Sequence, residues 1–324
     1  MFNSKLRLLV TGGSGFIGTN VVDYFVGSSQ HDVLNIDIAA PCHPGHKPCW
    51  RQIDLLDGPA LQAAVSAFDP QFVLHLAART DLDGKSLDDY AANTIGVSNL
   101  LEALKLAPSL RSVVFASSML VCKLGYIPSS AFDYCPTTAY GESKVVGEML
   151  VRANPPNCSW TLVRPTSIWG PWFKQPYRTF FDYVLKGRYF HIGKTRIRKT
   201  YGYVGNVVRQ LEALILALPE QVDKKVFYLG DSSDYVIRDW ADSIAHRKDI
   251  HIPEIPTILM KGGALLGDLL NRFGLRFPLT SFRLKNMTTE NCLDLEPILG
   301  IVRDMPFDRE HAIDLTLQWM NDHP

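Results

Sequence analysis

An α/β fold built on a doubly wound parallel sheet, with a smaller and mostly helical C-terminal substrate domain, is the fold class this sequence predicts. Three observations predict it. Short apolar runs alternate with helix-patterned stretches through the first 165 residues, a glycine-rich turn joins the first run to the first helix, and the rhythm changes after Gly170-Pro171. Strands alternating with helices form βαβ units, and βαβ units make parallel sheets.

Taken in order, the expected strands are Arg7–Thr11, Val33–Asp37, Arg51–Ile53, Phe72–Leu76, Ser112–Ala116 and Trp160–Arg164. The helical patterns between them cover Phe16–Val26, Gly58–Phe68, Leu87–Leu106 and Ala139–Arg152. Within the third, Ser98–Leu104 spaces its apolar residues to pack on a sheet. From Trp172 to Tyr203 aromatic and basic residues crowd together; a helix near Val207–Leu218 and a strand at Val226–Leu229 follow. The rest is mostly helical, jointed at Pro253, Pro256, Pro278, Pro297 and Pro306. The expected division is a nucleotide-binding domain over 1–170, its sheet completed by 204–230, and a substrate-binding part over 171–203 and 231–324.

Thirty-three basic residues balance thirty-three acidic ones, which argues against a nucleic-acid partner. The N-terminus lacks a signal-peptide pattern. Ile255–Leu270 is interrupted by Lys261, Gly262, Gly263 and Asp268, so it reads as an amphipathic helix and not a membrane anchor. Six cysteines without CxxC spacing suggest free thiols in a reducing, cytoplasmic compartment. Cys42-His43-Pro44-Gly45-His46-Lys47-Pro48-Cys49 has metal-binding residue types, but its prolines and glycine read as a surface loop, and no metal is expected.

The first strand runs into Thr11-Gly12-Gly13-Ser14-Gly15-Phe16-Ile17-Gly18. Gly12, Gly15 and Gly18 suit the tight bend, the pyrophosphate approach and the helix–strand contact of a dinucleotide-binding (Rossmann) turn. Phe16 and Ile17 open the helix whose positive N-terminal end faces the phosphates. Asp37 closes the second strand nineteen residues beyond Gly18. A carboxylate there accepts hydrogen bonds from the adenosine ribose and repels a 2′-phosphate, so NAD is favoured over NADP. Further on, Tyr140-Gly141-Glu142-Ser143-Lys144 sets a phenol and an ammonium one helical turn apart. A neighbouring ammonium and the positive nicotinamide ring both favour the phenolate and so lower its pKa toward the working range. Ser117 and Ser118 follow the fifth strand, where ligands bind in such sheets.

This set, with Asp54-Leu55, His75-Leu76-Ala77-Ala78, Asn93 and Arg164-Pro165, resembles the extended short-chain dehydrogenase/reductase superfamily, in its nucleotide-sugar epimerase/dehydratase branch. The resemblance implies Ser118, Tyr140 and Lys144 as the catalytic set. It also implies Asp54, Leu55, Leu76, Ala77, Ala78, Asn93, Tyr140 and Lys144 beside the cofactor, Ser118 against the substrate, and a homodimer packed through the helices 87–106 and 139–152. The dehydratase pattern has an Asp-Glu pair after the catalytic hydroxyl; this chain has Met119-Leu120, so that chemistry is not expected. Where the epimerase pattern has an Asn near the pyrophosphate, Ser167 stands, and where it has an Arg before the Tyr-Val motif, Lys199 stands. Arg196, Arg198 and Lys199 form a basic run suited to phosphate oxygens, with Arg283 a second candidate. The expected activity is epimerisation of a nucleotide sugar, at C4 of a UDP-sugar, through a transient keto intermediate. The alternatives are a keto-sugar reductase and a 3β-hydroxysteroid-type dehydrogenase.

Overall fold

The computed structural model describes residues 5–323 apart from 176, 274, 276, 278 and 303, and leaves out the side chain of Phe282. The joint expected at Pro278 therefore lies outside the described residues. In chain order the first part comprises β1 (Leu6–Thr11), α1 (Phe16–Gly27), β2 (His31–Asp37), β3 (Trp50–Gln52), α2 (Gly58–Phe68) and β4 (Phe72–His75). There follow α3 (Ala91–Leu104), β5 (Ser112–Ala116), α4 (Ala139–Ala153), β6 (Ser159–Pro165), β7 (Ser167–Trp169) and α5 (Tyr177–Leu185). Then come β8 (His191–Ile192), β9 (Arg198–Lys199), β10 (Tyr201–Tyr203), α6 (Val204–Leu216), α7 (Pro219–Val222) and β11 (Val226–Leu229). The chain closes with β12 (Tyr235–Val236), α8 (Ile237–His246), β13 (Glu254–Ile255), α9 (Thr257–Arg272), α10 (Ser281–Thr288), α11 (Glu296–Leu299) and α12 (Arg309–Asp322).

Seven strands form one sheet in the order β11-β6-β5-β4-β1-β2-β3, every neighbouring pair parallel. Side chains alternate between its faces, as the period of a strand requires. Leu8, Val10, Leu74 and Val114 join one buried cluster with α1 and α6; Leu9, Val73, Val113 and Phe115 join another with α2 and α3. Strand order reverses between β1 and β4, which opens a crevice at their carboxyl ends. Beyond the sheet, Trp169, Phe181 and Trp240 meet in tilted and edge-to-face contacts at ring separations of 5.3–5.6 Å and anchor α5 and α8 to β7.

The helix expected over Leu87–Leu106 is divided. Residues 87–90 form a 3-10 turn, because the Asp89 carboxylate accepts the backbone N–H groups of Lys85 and Ser86 and caps that turn from within. The short strands β7 and β10, which pair with each other, carry too few residues for periodicity to reveal them.

Candidate active site

At the crevice, Gly12 adopts φ +77°, and a Cβ there would stand 2.5 Å from the Ala77 nitrogen. A Cβ on Gly18 would stand 2.0 Å from the Gly12 carbonyl oxygen. Both positions therefore require glycine, one for its backbone angle and one for close approach of helix to turn. Gly15 is the N-cap of α1, and no side chain caps the helix, so Phe16 and Ile17 begin it with their donors turned to the crevice. Asp37 Oδ2 accepts from the Ser14 backbone at 3.0 Å and Oδ1 from that of Ala39 at 2.9 Å, which fixes the carboxylate beside the turn. Leu76, Ala77 and Ala78 continue β4 along the crevice wall. Asp54 accepts from Leu56 at 2.9 Å, and the carbonyl of buried Leu55 receives the Asn99 amide at 2.8 Å. These residues fit a dinucleotide: a tight uncapped turn for pyrophosphate, and a fixed carboxylate at ribose distance along the chain.

Asn93 lies beneath the crevice, and its amide is committed to the protein. Its Oδ1 accepts from Arg79 N at 2.8 Å, and Nδ2 donates to Arg79 O at 3.0 Å and to Ser143 Oγ at 2.9 Å. It thus ties the loop after β4 to α4.

Thr138 caps α4 by accepting from Gly141 N at 3.0 Å, and the helix carries Tyr140 and Lys144 toward the end of β5. Both side chains are buried. The Ser118 hydroxyl lies near enough to the Tyr140 phenol to lower its pKa, and it accepts from Leu120 N at 3.1 Å. Lys144 Nζ donates to the Ala116 carbonyl at 2.9 Å. The three groups gather at the tip of β5, as their spacing predicts.

Burial sets their electrostatics in the free protein. In the chain by itself, burial pushes the Tyr140 phenol up to about 12, against a smaller lowering by Ser118. Burial also takes the Lys144 ammonium down to about 8. The ammonium is spent on a backbone carbonyl, so desolvation governs the phenol, and activation of Tyr140 needs a further positive charge in the crevice. His75 is held near 3 by burial and by Lys144; its Nδ1 pairs with Thr11 Oγ1 at 2.7 Å, so it stays neutral.

On the substrate side the basic run does not converge. Arg196 pairs with Asp239 at 2.5 Å, Arg198 with Glu290 at 3.4 Å, and Lys199 Nζ donates to the Asn286 carbonyl at 2.8 Å. Successive side chains of an extended strand point apart, and β9 separates Arg198 from Lys199 in this way. In the chain by itself the run is therefore three separately paired cations. Arg283 sits on the first turn of α10, its N–H bonded to Thr280 Oγ1 at 3.2 Å. Ser167 lies on β7 near the hydroxyl of Tyr177, whose pKa it lowers against the larger rise from burial. Tyr177 and Tyr90 both act on the Tyr140 phenol, with the Tyr90 ring 5.9 Å away. Sequence reasoning missed these two tyrosines, since neither stands in a motif. The loop of Cys42 to Cys49 brings His43 and His46 to Asp23, and His46 Nε2 meets Asp23 Oδ1 at 3.2 Å; neither cysteine joins that group.

Residues 8–230 match the model of the NAD dependent epimerase/dehydratase family. Over 322 residues, 97% of this chain and 95% of the relative, the sequence is 25% identical to N-acetyl-alpha-D-glucosaminyl-diphospho-ditrans,octacis-undecaprenol 4-epimerase of Escherichia coli O157:H7. Over 221 residues, 62% of this chain and 58% of the relative, it is 34% identical to a 3 beta-hydroxysteroid dehydrogenase/Delta 5-->4-isomerase of Mycobacterium tuberculosis. In fold it is similar to UDP-glucuronic acid 4-epimerase of Bacillus cereus, solved with UDP-glucuronic acid and NAD (TM-score 0.74, 17% identity, 98% of this chain and 99% of that one). It is likewise similar to UDP-glucose 4-epimerase of Thermotoga maritima (TM-score 0.72, 20% identity, 98% and 99%). The chain belongs to the NAD-dependent epimerase/dehydratase family and is an NAD-dependent enzyme of the extended short-chain dehydrogenase/reductase type.

Proposed function

We propose that this enzyme epimerises a nucleotide sugar at C4, with a UDP-sugar as substrate, and that Ser118, Tyr140 and Lys144 carry the chemistry. The observation that carries the proposal is the buried Tyr140 phenol beside Ser118 at the tip of β5, with buried Lys144 one turn along the same helix. NAD, held by Gly12, Gly15, Phe16, Ile17, Gly18 and Asp37, with Asp54, Leu55, Leu76, Ala77 and Ala78 along it, supplies the acceptor and donor of a hydride. The protein's own part is proton transfer. Ser118 Oγ holds the substrate hydroxyl oxygen, the Tyr140 phenolate removes its proton, and the resulting keto sugar turns in the pocket. Tyr140 then returns the proton to the oxygen on the inverted carbon. Lys144 favours the phenolate through its charge. Asn93 acts on this set at one remove, through Ser143 and the loop at Arg79.

Ser167, Arg198, Lys199 and Arg283 are the proposed substrate contacts, and for Arg198 and Lys199 binding requires exchange of their present partners. Ile95 on α3 and Met149 on α4 are exposed apolar side chains, which supports a homodimer packed through these helices. All six cysteines are free, which supports a cytoplasmic site of action. A second reading, a sugar diphosphate carried on a polyprenol, is favoured by the end-to-end similarity to the E. coli enzyme. Both readings share a diphosphate next to the sugar.

The test uses the purified protein without added cofactor. Denaturation is expected to release NAD(H), and incubation with UDP-glucose, UDP-N-acetylglucosamine or N-acetylglucosaminyl-diphospho-undecaprenol is expected to yield the C4 epimer of one of them without accumulation of reduced nicotinamide. Stoichiometric cofactor reduction during turnover would replace epimerase by a net dehydrogenase.

A further inference from the structure

Helix α9 has two apolar faces. Met260, Ala264 and Gly267 turn one of them inward, against Leu284, Phe190, Ile255 and Leu279. At about 100° per residue, Ile258, Leu259, Leu265, Leu266, Leu269 and Phe273 fill the opposite half of its circumference. Each of these six side chains is between 51% and 78% exposed. A helix facing only water carries polar residues on that side; here Lys261, Asp268 and Arg272 occupy a narrow strip on one flank. The charge of the region is also one-sided. Among the described residues of 257–288, Lys261, Arg272, Arg283 and Lys285 are basic and Asp268 alone is acidic, whereas the whole chain balances 33 against 33.

An occupant of this face must cover large apolar side chains and accept a surplus of positive charge. A second copy of the chain would meet the first requirement and oppose the second, cation against cation. We propose that α9 docks on the surface of an anionic phospholipid bilayer, with its outer apolar face in the headgroup–acyl boundary and its flanking cations against lipid phosphates. No helix among the described residues is long and apolar enough to cross a membrane, and α9 has sixteen residues, so the helix lies in the interface. This assignment departs from the sequence expectation of no membrane partner. It is independent of which sugar the crevice accepts.

Co-sedimentation of the untagged full chain with phosphatidylglycerol vesicles and with phosphatidylcholine vesicles tests it, alongside sedimentation velocity for self-association. The wild type is expected to pellet with the anionic vesicles, at least about tenfold more strongly than with the zwitterionic ones, and less as salt rises. Leu265→Glu/Leu269→Glu is expected to reduce that partitioning by at least about tenfold while keeping bound NAD and the thermal unfolding transition. Lys261→Glu/Lys285→Glu, which leaves the apolar face intact, is expected to weaken anionic binding selectively. A wild type that fails to pellet with phosphatidylglycerol overturns the proposal, as does a Leu265→Glu/Leu269→Glu variant that pellets equally well. A wild-type dimer that this variant dissociates, without vesicle binding, would give the face to a second copy instead.

Discussion

Replacing Tyr140 by Phe is expected to lower turnover about a hundred- to ten-thousand-fold while leaving the NAD content of the purified protein unchanged. The size is that of removing a positioned general acid–base. The retention follows from geometry. Tyr140 is buried on α4 with its ring against Tyr90, and Phe keeps that packing while deleting only the oxygen that meets Ser118. The cofactor turn is built from β1, α1 and β2, to which the phenol contributes nothing. Steady-state rates with the epimerised sugar, together with nicotinamide released on denaturation, check both halves. Activity that survives the change would place the base elsewhere.

The second large effect lies four residues beyond Lys144. Glu148 and Arg164 form a two-pronged pair inside the protein, Nε to Oε1 and Nη2 to Oε2 both at 2.9 Å, with side-chain exposures of 0% and 1%. Tyr134 donates to the same carboxylate at 2.8 Å, and Arg164 also reaches the Ala131 carbonyl at 2.8 Å. Pair and partners together fasten α4 to β6 and to the loop before α4. Glu148→Gln would leave a guanidinium buried beside a neutral amide, and loss of one partner from a buried pair costs about 3–5 kcal/mol. The urea midpoint should fall accordingly. Replacing both residues together, by Glu148→Leu and Arg164→Met, should recover part of that loss, because the fully buried guanidinium goes with its partner, while Arg152, 3.9 Å from Glu148, still loses its carboxylate. A single variant as stable as the parent would mean that water reaches the guanidinium.

Sequence and structure agree where the signal is local. The glycine turn, Asp37 and the four-residue spacing of Tyr140 and Lys144 are each fixed by one strand–turn–helix unit or one helical turn, and each lies where its spacing puts it. Disagreement begins where distant segments decide. The charges of the basic run are adjacent in sequence but part in the fold. Asp239, Glu290 and Asn286, which take those charges in three directions, come from segments 43 to 92 residues away. Tyr90 and Tyr177 reach Tyr140 from separate elements, so no motif joins them. The phenol's pKa in the free protein is legible only in part, for a related reason. A neighbouring ammonium is visible in a sequence, but the desolvation that outweighs it and the Ala116 carbonyl that engages it belong to the folded state. The outer face of α9 shows the same limit. Its pattern announces an amphipathic helix, yet only the fold reveals that the helix is apolar on the side turned away from the core as well.

The central claim is that Tyr140 becomes a usable base when the crevice holds a second positive charge beside Lys144. The direct measurement is the phenolate absorbance of the parent minus that of Tyr140→Phe, followed against pH with and without bound NAD⁺, since subtraction removes the other tyrosines. Burial sets the midpoint at about 12 in the free protein. A nearby cation stabilises the phenolate, so the loaded protein should titrate below the ordinary value near ~10, and turnover should rise as pH rises through that midpoint. A midpoint that stays at its free-protein value when NAD⁺ is bound would contradict the account.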